Sequence, residues 1–351
     1  MDEMFEMLQR LSNAHGVSGY EGSVRDIVRE LATPYCDDVY VDALGNLICE
    51  RGKRKPSVMV AAHMDEIGLM VRYIDDDGFL RFARLGGWFD QTLLNQRVVL
   101  HSEKGDIYGV IGSKPPHVMK EEEKKNVVRA EDMFIDVGAN NAGEAEKMGI
   151  CVGTPITTDR SVVKLTNEKI TGKCFDNRAG VACALYALRL LAEWEVDVHL
   201  YLVGTVQEEV GLKGARTAAF HIEPDVALAV DTAIPGDHPG ITKREACVEL
   251  GKGPVVNVVE ASGRGLIAHP QAIKWLKECA EKNSIPLQLD VFEAGMTDAS
   301  AIYLTRGGIP TGTLSVPTRY IHSPVEVVDL RDVVSTSNLL ARAIQCVGDY
   351  F

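Results

Sequence analysis

Seven residues of this 351-residue chain carry side chains able to share chemistry: His63, Asp65, Asp176, Glu208, Glu209, Asp231 and His322. They fall in five separate places, four of which follow short β-rich or apolar runs. His63-Met64-Asp65-Glu66 comes straight after Ser57-Val-Met-Val-Ala-Ala62, and Gln207-Glu208-Glu209 follows a predicted strand ending near Val206. Asp231 follows Ala227–Val230, and a short loop after Thr311–Val316 reaches His322. Asp176-Asn177 stands where a helical pattern begins. Functional groups of open α/β sheets collect beyond the carboxyl ends of the strands, so these places are expected to meet on one rim.

Taken singly, each has an ordinary explanation. Asp176 reads first as a helix N-cap, His63 as a satisfied rim histidine, Glu208-Glu209 as a solvated acidic pair, and Asp231-Thr232 as the start of a turn. The set is harder to explain that way, because buried carboxylates placed together repel unless a cation neutralises them. Histidine with carboxylate and no thiolate suits zinc, cobalt or manganese rather than calcium. If Asp176 bridges two ions, His63 and Asp231 complete one site, and Glu209 and His322 the other. Two divalent ions ~3.5–4 Å apart can share a water, lower its pKa and polarise a carbonyl. Glu208 is then free to act as general base, and Asp65, two residues past His63, to orient its imidazole.

These groups need a scaffold, and composition bounds it. At about 150 residues per domain, the length predicts two or three domains. Hydrophobic residues at 46% and charged ones at 25% are the balance of a globular chain rather than a disordered one. Lys+Arg 37 against Asp+Glu 50 gives a net charge of −13, which disfavours nucleic acid or anionic membrane as the main partner. The eight cysteines form no CxxC pair and read as buried thiols of a reducing compartment. The acidic, helix-like N-terminus lacks the layout of a signal peptide, and no window offers 18 uncharged apolar residues. The expected setting is cytoplasmic.

Along the chain, helix and strand signals alternate over the first 70 residues. Val24, Ile27, Val28 and Leu31 give an amphipathic helix behind Ser23 as candidate cap, and Gly45-Asn46 separates two short strands of a hairpin. From about Val71 to Val163 turn signals come every few residues between short β-rich pieces. That texture predicts a small all-β module inserted into an α/β domain, with residues 1–70 and 164–351 forming the two parts of the host. The run Lys120–Lys125 reads as a solvated loop. After Gly172 the alternation resumes, with helices expected from Asn177 to Trp194, Pro270 to Asn283 and Leu330 to Val347.

The segments AAHMDEIGLM (61–70), CFDNRAG (174–180), VQEEVGLKGA (206–215), VDTAIPGD (230–237), GMTDASAIYL (295–304) and VPTRYIHSPVE (316–326) resemble the tetrahedral aminopeptidases. These are di-metal exopeptidases that include glutamyl, leucyl and deblocking enzymes. The likeness spans nearly the whole chain, with the motifs in the family's order. It implies His63, Asp176, Glu209, Asp231 and His322 as metal ligands with Asp176 bridging, Glu208 as the catalytic base, and Asp65 as support for the first histidine. The implied fold is a phosphorylase/hydrolase-like α/β catalytic domain, a mixed central sheet flanked by helices, carrying an inserted PDZ-like β-barrel for dimerisation. Two divalent ions per subunit (zinc or cobalt), short peptide substrates and a homo-oligomer built from dimers, up to a tetrahedral dodecamer, follow from the same resemblance.

Other readings keep some of these residues. A deacylase or amidohydrolase acting on N-acyl substrates would use the same metals on a different bond. A glycosidase would pair Glu208 with another carboxylate and need no metal, leaving His63, His322 and Asp231 without a task. A non-catalytic assembly scaffold would tolerate the loss of a ligand or base, yet all seven positions hold competent residues. Three further segments stay open: Arg319-Tyr320 as rim or loop anchor, Gly295–Asp298 as substrate contact or helix start, and Arg264 as receiver of an acidic side chain or part of a solvated turn. His101 and His269 carry no motif context and read as structural.

Overall fold

Ser57–His63 forms a strand (β3) buried along its whole length, as a continuous apolar run covered on both faces should be. The computed structural model describes all residues from Met1 to Phe351. Ahead of β3, the hairpin expected around Gly45-Asn46 is present as β1 (Asp38–Val41) and β2 (Leu47–Arg51). Helices α1 (Asp2–Asn13) and α2 (Gly22–Ala32) precede them. Ser23 does not cap α2; the helix starts one residue earlier, after Glu21. Glu21 instead accepts the N–H groups of Gly19 and Gln207, at 2.7 and 3.1 Å, and so ties the N-terminal loop to the segment that carries Glu208.

Six strands then close into an antiparallel barrel: β4 (Gly68–Ile74), β5 (Leu80–Leu85), β6 (Arg97–Ser102), β7 (Gly105–Gly112), β8 (Phe134–Asp136) and β9 (Pro155–Thr158). Pairing of β4 with β9 at Leu69 and Ile156 completes it, and closure leaves no open edge to aggregate. The barrel holds its own core, including Leu69, Phe82, Leu100, Ile111 and Ile135, separate from that of the larger sheet. The short helix α3 (Ala142–Lys147) packs Ala145 into it. The 120–125 run lies exposed on this module, paired within itself and to Lys114.

The remaining strands are β10 (Val163–Lys164), β11 (Lys169–Gly172), β12 (His199–Thr205), β13 (Val226–Ala233), β14 (Val255–Val259), β15 (Gln288–Val291), β16 (Thr311–Arg319) and β17 (Glu326–Asp329). They join β1–β3 in one mixed sheet of order β1-β2-β12-β3-β13-β16-β17-β11-β10, with β14 and β15 branching from β16. Its centre, β12-β3-β13-β16, is parallel throughout. The four carboxyl ends therefore open on the same side.

Helices α4 (Phe175–Glu193), α6 (Pro270–Lys282) and α8 (Leu330–Gln345) join α1 and α2 on one face of this sheet, over the largest apolar cluster. On the other face, the 10-residue helix α5 (Lys213–Ile222) packs with the short α7 (Ala299–Ile302). Trp275 is fully buried in α6, and its indole N–H reaches Ala343 O of α8 at 2.9 Å. No helix is long and apolar enough to cross a membrane. All eight cysteines are free, but the expectation of uniform burial is not met: Cys151 and Cys247 are exposed, and Cys36 and Cys346 half-buried.

Candidate metal centre

All the candidate residues but Asp176, which follows β11 at the start of α4, stand at or near a carboxyl end of the central strands. His63 is the last residue of β3, and its register partner Thr205 is the last of β12. Glu208 and Glu209 follow three and four residues later. Asp231 lies inside β13 rather than after it, because the pairing continues past it, with Asp231 beside Ser315 and Ala233 beside Pro317. Strand β16 likewise runs on to Arg319, and His322 follows it with φ at +58°. Cys174 and Gln207 also adopt left-handed backbone, at +50° and +55°. Such conformations cost about 1–3 kcal/mol in non-glycine residues and gather where a site over-determines them.

Asp176 is not the cap that its place at the start of α4 suggested. Its backbone is non-helical, and its carboxylate turns to the histidines. Oδ1 lies 3.3 Å from His63 Nε2 and Oδ2 lies 3.5 Å from His322 Nε2. On the first side, Asp231 Oδ1 stands 3.9 Å from His63 Nε2; on the second, Glu209 Oε2 stands 3.3 Å from His322 Nε2. The ligand atoms of His63, Asp176 and Asp231 lie within 4.8 Å of one another, as do those of Asp176, Glu209 and His322. These two clusters share Asp176 alone. Glu208 forms a third such group with His63 and Glu209, its Oε2 3.9 Å from His63 Nε2.

Electrostatics reflect the crowding. Burial pushes the Glu208 carboxyl well above its ordinary range, and Asp231, Asp298 and Glu209 add to this against the pull of His63. Asp231 is raised in the same way, by burial first and then by Asp176. Burial also raises Glu209, with Asp176 adding to it. Asp176 moves down, because the two histidines outweigh its burial. Burial would depress both imidazoles, yet the surrounding carboxylates hold His63 well above its usual value and His322 up to about 10. A buried group of this kind, with carboxylates in excess and imidazoles between them, suits divalent cations of the zinc–cobalt–manganese type.

Support comes from residues packed around the cluster, Asp65 first among them. Asp65, fully buried, accepts Ser18 Oγ at 2.6 Å and the N–H groups of Glu208 and Glu209 at 3.0 and 3.2 Å, while its Oδ1 lies 3.4 Å from His63 Nδ1. Glu326 accepts the N–H of Asp176 at 2.9 Å and that of His322 at 3.1 Å, joining two segments 146 residues apart. Beneath them, Lys173 Nζ is buried against both oxygens of Glu66 at 2.7 Å, with Arg178 Nη2 at 3.5 Å from Oε1. The barrel contributes as well: an added Cβ at Gly87 would stand 2.7 Å from His322 Nδ1. Sequence patterning did not reveal Glu326, Ser18 or Gly87, although Glu326 closes one of the quoted motifs.

The open segments resolve. Arg319 anchors its loop through paired contacts to Asp237, at 2.9 and 2.6 Å. Gly295, Met296 and Thr297 line a cavity of about 580 Å³ that also exposes His63, Asp176, Glu208, Glu209, Asp231 and His322. Asp298 precedes α7 without capping it and accepts Thr205 Oγ1 instead. Arg264 is exposed, and its Nε donates to Ala261 O at 3.2 Å.

Comparison with known proteins shows the family. A family model described as M42 glutamyl aminopeptidase matches residues 45–339, and one described as AMPT matches residues 2–27. The lysyl aminopeptidase of Pyrococcus furiosus is 39% identical over 341 residues, 95% of each chain. An aminopeptidase, APDkam598, from the archaeon Desulfurococcus kamchatkensis is 48% identical with a TM-score of 0.93, over 98% of this chain and 95% of that one. The Pyrococcus horikoshii TET1 peptidase, whose structures are a tetrahedron or a large octahedral shell, is 35% identical with a TM-score of 0.88, over 97% of this chain and 98% of that one. The chain belongs to the M42 aminopeptidase family and is an aminopeptidase.

Proposed function

Starting from an M42 aminopeptidase, we propose that this chain removes the N-terminal residue of short peptides with two divalent ions held by His63, Asp176, Glu209, Asp231 and His322. Glu208 serves as the base. The observation that carries this is the sharing of Asp176 by two clusters, each with its own imidazole and its own further carboxylate. Bound ions would polarise the scissile carbonyl and acidify the attacking water. Glu208, facing the cavity beside His63 and not in either cluster that contains Asp176, takes the proton of that water and returns it to the departing amine. Asp65 holds the His63 ring and the backbone of Glu208 in register with each other.

The same reading assigns the barrel as an inserted module for assembly and the host sheet as the catalytic part, in keeping with the TET1 relative's shells. A cytoplasmic setting is supported by eight cysteines, all unpaired in disulfides. Zinc or cobalt is the expected ion.

The test strips the protein of metal, resupplies zinc or cobalt, and offers matched peptides with free and N-acetylated termini. Metal-restored cleavage of the free set alone is expected. Equal cleavage of the acetylated set would favour a deacylase, and glycan cleavage insensitive to chelator would favour the glycosidase pair.

A further inference from the structure

Beyond the metal cluster, the cavity runs to a wall made by β14, β15 and residues 292–297. Asn257 and Asp290 are register partners on those adjacent strands, so their side chains leave the same face, and both line the cavity. Glu260 lines it too, but its carboxylate is filled by four donors: Thr297 N–H and Oγ1 at 3.1 and 2.9 Å, Ser300 Oγ at 2.9 Å and Thr313 Oγ1 at 2.7 Å. Asp290 differs. It is only 8% exposed, and no cation or side chain pairs with it. The only donor beside it is the N–H of Val291, next in the chain, so at least one of its oxygens has no partner. No lysine or arginine lines the cavity anywhere.

We infer that the cavity selects a basic first residue, lysine or arginine, and that Asp290 is the group that receives its cation. This deepens the reading above and rests on the cavity holding the first residue of a peptide. The cavity that Asp290 lines also has apolar wall residues, Leu212, Ile234, Phe292 and Met296 among them. A long basic side chain lays its methylene stem along such surface and places its charge at the end. An acidic first residue would meet Asp290 and Glu260 with no counter-ion, and Arg264, the cation its sequence offered for that role, lies outside the cavity. A charge-assisted hydrogen bond to Asp290 is also the strongest contact available to a side chain there.

The test uses the full metal-loaded chain on aminoacyl 4-nitroanilides whose first residue is lysine, arginine, norleucine or glutamate. Norleucine keeps the stem of lysine and removes the charge. The wild-type kcat/KM for lysine is expected to exceed that for norleucine by about tenfold or more, with glutamate the poorest. Asp290→Asn should lower the lysine-to-norleucine ratio about tenfold (about 1.4 kcal/mol), mainly through KM for lysine. Asp290→Glu should preserve the preference. A wild-type enzyme indifferent to the charge would overturn the inference. So would an Asp290→Asn variant that slows every substrate by the same factor, the behaviour of a group that binds the α-amine or only supports the wall. Cleavage of none of the four while an alanine or leucine substrate is cleaved would overturn it too, whereas cleavage of no substrate after metal loading would instead remove the two-ion reading on which the inference stands.

Discussion

Asp65 accepts the backbone N–H of Glu208 at 3.0 Å, so the carboxylate that lies against His63 also fixes the residue proposed as the base. Ligand and base are thereby set by one buried group, and an error in its position reaches both. This is the kind of supporting contact whose loss lowers metal affinity or activity by about 10–100-fold.

Asp65→Asn tests the coupling. Its carboxylate accepts Ser18 Oγ and the two backbone N–H groups and lies 3.4 Å from His63 Nδ1, which also meets the Asp65 backbone oxygen at 3.2 Å. An amide can accept them at only one of its ends. A loss of about 10–100-fold is expected in kcat, with weaker metal binding by titration. Wild-type values for both would reduce Asp65 to a packing role.

Glu208→Gln keeps the shape of the base and removes its proton chemistry. Turnover should fall by about 10²–10⁴-fold while the metal content stays at the wild-type level. Normal activity would remove Glu208 as the base, and loss of an ion would show that it is a ligand.

How much of this was legible beforehand depended on what each residue does. His63, Glu208, Asp231 and His322 were visible because parallel strands advertise their carboxyl ends through apolar runs. The hairpin and the inserted β-rich module followed from turn residues and texture in the same way. Asp176 was ambiguous, since an acid at a helix start is a cap in most proteins, and only the tertiary path of the 174–177 turn sends its carboxylate to the histidines. Glu326 was hidden because its work is to accept two backbone N–H groups, which no spacing rule reports. Asp290 was hidden by its strand: Gln288–Val291 is four residues long with an acid within it, and its pairing to β14 is a long-range fact.

The charge balance predicts a pH-dependent gain from metal. In the metal-free chain, His322 titrates at about 10 against an ordinary 6.5, so its stabilising contribution is complete below about pH 6.5 and lost as pH rises through 10. Glu208 and Asp231, raised by burial, act in the same direction: each favours the fold when protonated and opposes it once ionised. Asp176, held low by the histidines, contributes in the opposite sense and is lost only in acid. Zinc should therefore raise the melting temperature more at pH 9 than at pH 6. A gain independent of pH would contradict this account of the cluster.

Gly87→Ala probes the part the barrel plays in the site. The new methyl would meet His322 Nδ1 at 2.7 Å, closer than side chains tolerate, and the ring must shift. Activity should fall by about tenfold or more, with weaker binding of the ion held by Glu209 and His322, while melting of the chelated protein changes by only a few degrees. An unchanged enzyme would mean that the 86–87 turn yields freely and that the barrel wall does not shape the centre.

The account depends most on one carboxylate serving two ions. Metal content per chain, measured after equilibration with zinc and gel filtration, tests it in a comparison of wild type, His322→Ala and Asp176→Ala. The wild type should hold about two ions and His322→Ala about one, while Asp176→Ala should lose both, as a shared ligand requires. Retention of one full ion by Asp176→Ala would contradict the bridge and leave two independent sites.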